Sequence, residues 1–223
     1  MSAIVGLAIH TCGPALGLAL RYAKDKGAKG NDANDSKGEA RHQTWPLGRD
    51  LSTQLHGILL EFIAPYDWTE FSFLAVAVGP GGFTGTRLGV VTARTLAQQL
   101  EIPLFGVSSL AAIAQRHLTA QAQNVTQDIA VDMQAQRGQL YTAIYRPTLN
   151  GLEVMQPDQV RSPDDWDAAL KAHPHPLVRA MAGDDLAATV LQVLELAEGG
   201  WEQGDRPDWA TVLPYYGQHP VDR

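Results

Sequence analysis

The feature that most constrains the fold is an apolar strand that leads through a glycine turn into a helix. Residues 73–78 (FLAVAV) form a continuous apolar run, which is typical of a strand buried on both faces of a mixed or parallel sheet. The glycines of 79–82 (GPGG) exclude a helix there. Apolar residues then recur at helical spacing as far as Pro103 and predict a helix, for which Thr84 is a suitable N-cap. This unit predicts an α/β protein.

The other apolar patterns predict alternating strands and helices. Two short runs, 3–9 and 16–22, flank a turn and predict a β-hairpin. The same criteria predict strands at 104–107, 128–133, 139–145 and 177–182 and helices at about 48–63, 108–118, 162–172 and 185–197. Residues 24–41, rich in Gly, Asn, Asp and Lys, are predicted to be a mobile loop, and the last twenty-five residues to be irregular.

A short echo between two hairpins predicts two similar lobes. Ala8-Ile9-His10 precedes a turn and a second strand, and Ala130-Val131-Asp132 does the same 122 residues later (130 minus 8). We therefore expect an N-terminal α/β lobe at 1–105, and a C-terminal α/β lobe with an irregular tail at 106–223.

Charge and cysteine content bear on partners and compartment. The 223 residues include 24 acidic and 17 basic ones, and the formal charge of −7 offers no general attraction to nucleic acid. The single cysteine, Cys12, forms no internal disulfide, which suits a reducing compartment. Because we find neither a secretory leader nor an apolar run of membrane-spanning length, we expect a cytoplasmic protein.

The glycine turn has a geometry that suits an anion. Backbone N–H groups at the start of a helix hold negative charge, and Arg87 follows closely in sequence. The segment is not a P-loop, because no Lys-Ser or Lys-Thr follows the glycines, and it lacks the third glycine of a dinucleotide fingerprint. The alternative is that the glycines only let strand and helix pack closely, and that Arg87 is a solvated charge.

Residues at the two hairpin turns complete the candidate set. His10, Thr11 and Cys12 lie at the first turn, although a packed thiol is commoner than a nucleophile at a position like that of Cys12. Asp132 either faces a cleft between the lobes or is satisfied by backbone N–H groups. No two histidines have metal-motif spacing, so no metal site is predicted. The anion-binding or cleft-facing candidates are Thr11, Gly79, Gly81, Gly82, Thr84, Arg87 and Asp132.

Residues 78–88 (VGPGGFTGTRL), continued by GVVTARTLAQQLEIPLFGVSSLAAIA as far as Ala114, closely resemble the TsaB family, also called YeaZ. AIHTCGPALGLAL resembles the family's first hairpin, RHQTWPLGRDLSTQLHGIL its first helix region, and AVDMQAQRGQLYTAIY its second-lobe hairpin. The resemblance spans most of residues 3–145.

The resemblance implies a two-lobed actin-like and Hsp70-like (ASKHA) fold, in which each lobe is a mixed sheet with helices. It implies a non-catalytic subunit without a cofactor, which binds and activates TsaD to form N6-threonylcarbamoyladenosine next to the anticodon of tRNA. TsaD would hold the metal and the threonylcarbamoyl adenylate, and the ATPase TsaE would join the pair. The chain would contact tRNA only indirectly, through the complex.

Family members pair through helices of the first lobe. The helix that follows Thr84 carries small or apolar residues all round, more than one buried face needs, which favours a second packing partner. The resemblance therefore implies partner contacts by Leu51, Leu55, Leu59, Val90, Val91 and Arg94.

The chain also departs from the family pattern. His10 stands where the family usually has an aspartate, which disfavours direct ATP binding, and Gln134 stands where an aspartate is common. An ATP-using phosphotransferase or a metallopeptidase of the same fold stays open as an alternative, although the missing carboxylates and metal motif disfavour both. A homodimeric binding module that uses the same helices is a further alternative.

Overall fold

The first sheet contains five strands. The computed structural model describes residues 5–22, 39–121, 126–149, 151–183 and 185–217. The strands are β1 (Val5–His10), β2 (Leu16–Tyr22), β3 (Ala40–Trp45), β4 (Phe71–Gly79) and β5 (Leu104–Ser108), in the order β3-β2-β1-β4-β5. The predicted hairpin is confirmed, since β1 pairs antiparallel with β2, and β4 lies between β1 and β5 and is parallel to both.

The second sheet contains four strands and repeats the topology of the first. They are β6 (Asp128–Gln134), β7 (Leu140–Thr148), β8 (Gly151–Arg161) and β9 (Leu177–Met181), in the order β8-β7-β6-β9. Strand β6 pairs antiparallel with β7 and parallel with β9, as β1 does with β2 and β4. The echo between the two hairpins thus reflects two halves of the same topology.

Five α-helices join and cover the strands: α1 (Leu51–Ile63), α2 (Phe83–Leu100), α3 (Ser109–Ala120), α4 (Pro163–Ala172) and α5 (Val190–Glu202). Ser108 caps α3 and Ser162 caps α4 through hydrogen bonds to first-turn N–H groups. The predicted cap of α2 is wrong. Gly82 is its N-cap, without a side-chain hydrogen bond, and Thr84 lies within the first turn.

The elements stack in five layers. Helices α1 and α2 share an apolar cluster with one face of the first sheet, and α4 packs through Trp166 on the outer face of the second. Between the sheets, α3 and α5 contribute Leu110 and Val193 to a cluster that also holds Phe73 from the first sheet and Val131 from the second. The predicted architecture of two lobes, each a mixed sheet with helices, is confirmed.

Two strands escaped prediction because they carry little apolar pattern. Strand β3 is mostly exposed and has the sequence ARHQTW, and β8 alternates only partly and contains Pro157. The predicted loop at 24–41 is therefore too long, since β3 begins at Ala40, and residues 24–38 lie outside the described residues. The boundary between 105 and 106 stays a prediction; it falls within β5.

No helix in the described parts of the chain is both long enough and apolar enough to span a bilayer.

Candidate functional site

A cavity of about 680 Å³ opens between the two lobes. Its walls include the first hairpin turn at residues 12–14, the glycine turn and start of α2 at residues 81–85, and the second hairpin turn at residues 133–136. Tyr141 and Tyr216 complete the wall on the side of the second lobe. The repeated topology places the two hairpin turns on opposite sides of this cavity.

The glycine turn packs directly on the first hairpin turn. The Gly82 N–H donates to the Cys12 carbonyl at 2.6 Å, and the Thr11 hydroxyl donates to the Gly85 carbonyl at 2.8 Å. A methyl group at Gly81 would overlap the Cys12 carbonyl, and one at Gly85 would overlap the Thr11 carbonyl. These glycines are therefore required for close approach of the two turns, which was the alternative to the anion site.

The structure brings only part of the predicted anion site together. Gly81, Gly82 and Thr84 line the cavity, and α2 begins on its wall, so first-turn N–H groups lie at its edge. The remaining candidates, Thr11, Gly79, Arg87 and Asp132, are absent from the lining. None of the lining side chains in the described part of the chain is a carboxylate, a lysine, an arginine or a histidine.

Asp132 is committed to a contact elsewhere. Its Oδ1 accepts a hydrogen bond from the Trp166 indole N–H at 3.2 Å and forms an ion pair with the Arg179 guanidinium at 2.9 Å. It therefore ties β6 to α4 and β9. Both predictions for Asp132 need correction, because its partners are side chains and it does not line the cavity.

His10 is fully buried and neutral. Burial lowers the pKa of its imidazole from 6.5 to about 3. Nδ1 accepts a hydrogen bond from the Cys12 N–H at 3.3 Å, so Nε2 carries the remaining proton. Within the described residues Nε2 has no hydrogen-bond partner. A residue in this state offers neither a charge nor a proton at neutral pH.

Cys12 is a packed thiol. Its side chain is buried, its Sγ–H donates to the Ala77 carbonyl at 3.4 Å, and burial raises the pKa of the thiol. This environment favours the protonated form over the nucleophilic thiolate.

No sequence pattern marks a polar cluster that joins the lobes. The Asp158 carboxylate on β8 accepts hydrogen bonds from the Ser108 hydroxyl at 2.6 Å and the Tyr145 hydroxyl at 2.9 Å. Burial raises the pKa of Asp158 and that of Tyr145. Ser108 lies 37 positions before Tyr145 and 50 before Asp158 in the chain, so no local pattern marks the three residues as partners.

The predicted partner residues divide into core and surface. Four of them, Leu51, Leu55, Leu59 and Val90, are 0–6% exposed and belong to the core between the helices and the first sheet. A side chain buried in its own chain has no surface left for a partner, so these four assignments need correction. Val91 is 52% exposed and Arg94 is half-buried, and Leu60 on α1, which the apolar stripe did not single out, is 58% exposed.

No three His, Cys, Asp or Glu side chains form a candidate metal-binding group among the residues that the structure describes.

Comparison with known proteins gives consistent results. The sequence model of TsaD, tRNA N6-adenosine threonylcarbamoyltransferase, matches residues 50–191. The tRNA threonylcarbamoyladenosine biosynthesis protein TsaB of Bacillus subtilis is 39% identical over 116 residues, which cover 52% of this chain and 47% of that protein. TsaB of Escherichia coli is 37% identical over 38% of this chain and 35% of that protein. The matched region thus spans about half or less of these relatives.

The fold has a solved counterpart. YeaZ from Pseudomonas aeruginosa superposes with a TM-score of 0.71 at 22% identity, over 95% of this chain and 100% of that one. At this identity the similarity establishes the fold.

Proposed function

The chain belongs to the TsaB (YeaZ) family, and on that premise we propose that it is a non-catalytic subunit in the biosynthesis of threonylcarbamoyladenosine in tRNA. In this proposal it binds and activates TsaD, which carries the metal and the threonylcarbamoyl adenylate and performs the transfer next to the anticodon. TsaE, the ATPase, joins the pair. The chain itself holds no cofactor, and it acts in the cytoplasm.

The chemistry of the inter-lobe cavity is the observation that carries the non-catalytic role. Its lining side chains, within the described residues, are apolar, aromatic, hydroxyl, thiol or amide groups. His10, at the position where the family usually has an aspartate, is buried and neutral. A general base or an anchor for a metal–nucleotide complex needs a group that carries a charge or exchanges a proton at neutral pH. The described residues that line the cavity supply no such group.

The outer surfaces of α1 and α2 support a partner-binding role. Both helices bury one face on the first sheet, which leaves Leu60 and Val91 exposed on the opposite side. Arg94, half-buried, lies 6.0 Å from the ring of Trp209 and adds a cation near this surface. We name Leu60, Val91 and Arg94 the helical face and assign the TsaD contact to it. Exposed apolar side chains mark interaction surfaces, and a few residues near the centre of an interface, often including an arginine, contribute most of its binding energy.

The formal charge of −7 supports indirect contact with tRNA. A chain with this charge repels a phosphate backbone unless a local basic surface compensates. We therefore assign tRNA binding mainly to the other components of the complex.

The test is co-purification with the TsaD of the same organism, followed by a transfer assay on unmodified tRNA that omits each subunit in turn. We expect a stable complex and transfer only when both are present. Leu60→Asp and Val91→Asp should each weaken the complex at least tenfold, because each buries a carboxylate in an apolar contact. Val154→Asp is the matched control, since Val154 is 58% exposed on β8. Equal weakening by the control would refute the helical face.

The same assay separates the alternatives. Turnover of ATP or of a peptide by this chain alone would support a phosphotransferase or a metallopeptidase. A homodimeric binding module predicts that the chain pairs with itself and ignores TsaD, and that the two helical-face variants become monomeric. A self-association that TsaD displaces would instead support the proposed subunit, because one apolar face can serve both pairings.

A further inference from the structure

The segment after α5 runs along the first lobe before it crosses to the second. Residues 209–211 form a short 3-10 turn, and Val212 is buried in the first-lobe core. The Tyr215 N–H donates to the carbonyl of Val78, at the end of β4, at 2.7 Å. The Tyr215 carbonyl occupies the space that a side chain at Gly79 would need. The backbone of Tyr215 is thus seated on the glycine turn.

Tyr215 and its neighbour Tyr216 also contact the second lobe. The Tyr215 hydroxyl donates to the Asp158 carbonyl on β8 at 2.9 Å, and the Tyr216 carbonyl accepts from the Tyr141 hydroxyl on β7 at 3.0 Å. We call residues 212–217 the strap. It makes one hydrogen bond to the first sheet and two to the second, so it bridges the lobes next to the cavity.

The strap also forms a wall of that cavity. The Tyr216 ring lies 4.4 Å from the ring of Phe83, the first residue of α2, and both residues line the cavity together with Tyr141. Removal of the strap would therefore take away one side of the aromatic wall and the hydrogen bonds that span its mouth.

We propose that the strap is a reversible tie between the lobes that narrows the mouth of the inter-lobe cavity. While it is seated, the lobes are held together and Tyr216 forms one wall of the cavity. When it lifts, the mouth widens on that side to solvent and to any ligand that enters there. This device is independent of the proposed role with TsaD.

The nature of the contacts makes release feasible without unfolding. Beyond Val212 the strap has no regular secondary structure, Leu213 is 62% exposed, and Gly217 is exposed. Val212 stays anchored in the first-lobe core, and the residues beyond it are held chiefly by the three hydrogen bonds above and one ring contact. A hydrogen bond of this kind changes the ratio of seated to released strap by about threefold to tenfold. Segments with so few buried contacts open locally more readily than the core does.

The only cysteine of the chain reports on this opening. Cys12 lines the cavity but is 1% exposed, so a reagent reaches its thiol only when the cavity opens. We would measure the rate at which N-ethylmaleimide modifies Cys12 in the folded full chain, at fixed pH and with excess reagent. The variants are Tyr215→Phe and Tyr141→Phe, each of which removes one hydroxyl, and Tyr216→Ala, which removes the ring.

Each hydroxyl variant should raise the modification rate about threefold to tenfold, and the double variant should raise it by about the product of the two. Tyr66→Phe is the matched control, because Tyr66 packs against Tyr22 in the first lobe, and it should leave the rate unchanged. If Tyr216→Ala does not fold, the two conservative hydroxyl variants carry the test.

Hydrogen exchange in the same samples separates local from global opening. The amide of residue 215 should exchange faster in the hydroxyl variants, while the amide of Leu7, in the centre of the first sheet, should not. The proposal is overturned if Cys12 reacts at the parent rate in the double variant. It is also overturned if the amide of Leu7 accelerates as much as Cys12, because the opening would then be global unfolding.

Discussion

Acid should destabilise this protein through His10, and the substitution His10→Asn isolates the effect. The imidazole is fully buried and its Nδ1 accepts the Cys12 N–H. Asparagine does not titrate, and its side-chain oxygen can still accept a hydrogen bond from this N–H. Any difference in pH dependence between the parent and the variant therefore reports the charge of residue 10.

The direction and the size of this change in the free energy of unfolding follow from the pKa values of His10 in the folded and unfolded states. The folded-state pKa of His10 is lowered to about 3, whereas the unfolded chain titrates near 6.5. Below pH 6.5 the unfolded state binds a proton that the folded state excludes, so stability that is complete above 6.5 is lost as the pH falls toward 3. A pH of 5 lies about 1.5 units below the unfolded-state pKa of 6.5. At 1.36 kcal/mol per unit, the free energy of unfolding is therefore about 2 kcal/mol lower at pH 5 than at high pH.

Urea unfolding at pH 7 and at pH 5, followed by tryptophan fluorescence, measures this loss. The parent should lose about 2 kcal/mol more than His10→Asn between the two pH values. Groups common to both proteins, such as Asp128 with its Arg146 and His173 contacts, cancel in the comparison. Equal losses in the parent and the variant would refute the buried neutral histidine.

Two further pairs of substitutions test the packing around the site. Gly85→Ala should cost about 2 kcal/mol of unfolding free energy, because its methyl group meets the Thr11 carbonyl. Gly57→Ala on α1, with no atom nearby, should instead stabilise the chain by about 0.5–1 kcal/mol; equal effects in urea unfolding would contradict the close approach. Asp132→Ala should cost about 2–3 kcal/mol, because it leaves the buried Trp166 N–H without an acceptor. Arg179→Gln should change stability by less than about 1 kcal/mol, because Arg179 is 48% exposed on its side chain. Chemical denaturation that gives Arg179→Gln the larger loss would contradict this assignment.

Local patterns predicted most of the secondary structure. Apolar spacing predicted helices α3 and α4, and the continuous apolar run at 73–78 predicted β4. The apolar pattern did not predict β3 and β8, which lie at sheet edges and lack a regular apolar alternation, because an edge strand gains little from an apolar face. The two-lobe topology followed from one short echo and from the family resemblance.

The cavity was less predictable than the fold. Its glycine turn is visible in the sequence, but the groups that close it come from segments far apart in the chain. The Tyr215 hydroxyl reaches Asp158 across 57 residues, and the Tyr141 hydroxyl reaches Tyr216 across 75. Tyrosines in a segment without periodicity give no sign of such contacts. The sequence did not predict the burial of Leu55 and Val90 either. An apolar stripe on a helix indicates that one face is buried, but not whether it packs on the same chain or on another.

The layer order has a consequence for how the sequence can change over evolution. Helix α5 lies between the two sheets, and every residue from Val190 to Trp201 is buried or half-buried, including Glu198, which pairs with Arg21 on β2. Substitutions anywhere around this helix therefore disturb the packing of a sheet. Helix α1 keeps one exposed side, and changes there leave the sheets in place. Sequence drift should accordingly be slow in the central layer and fast on the outer helices. New binding specificities should therefore arise on the outer helices, while α5 keeps the distance between the two sheets constant.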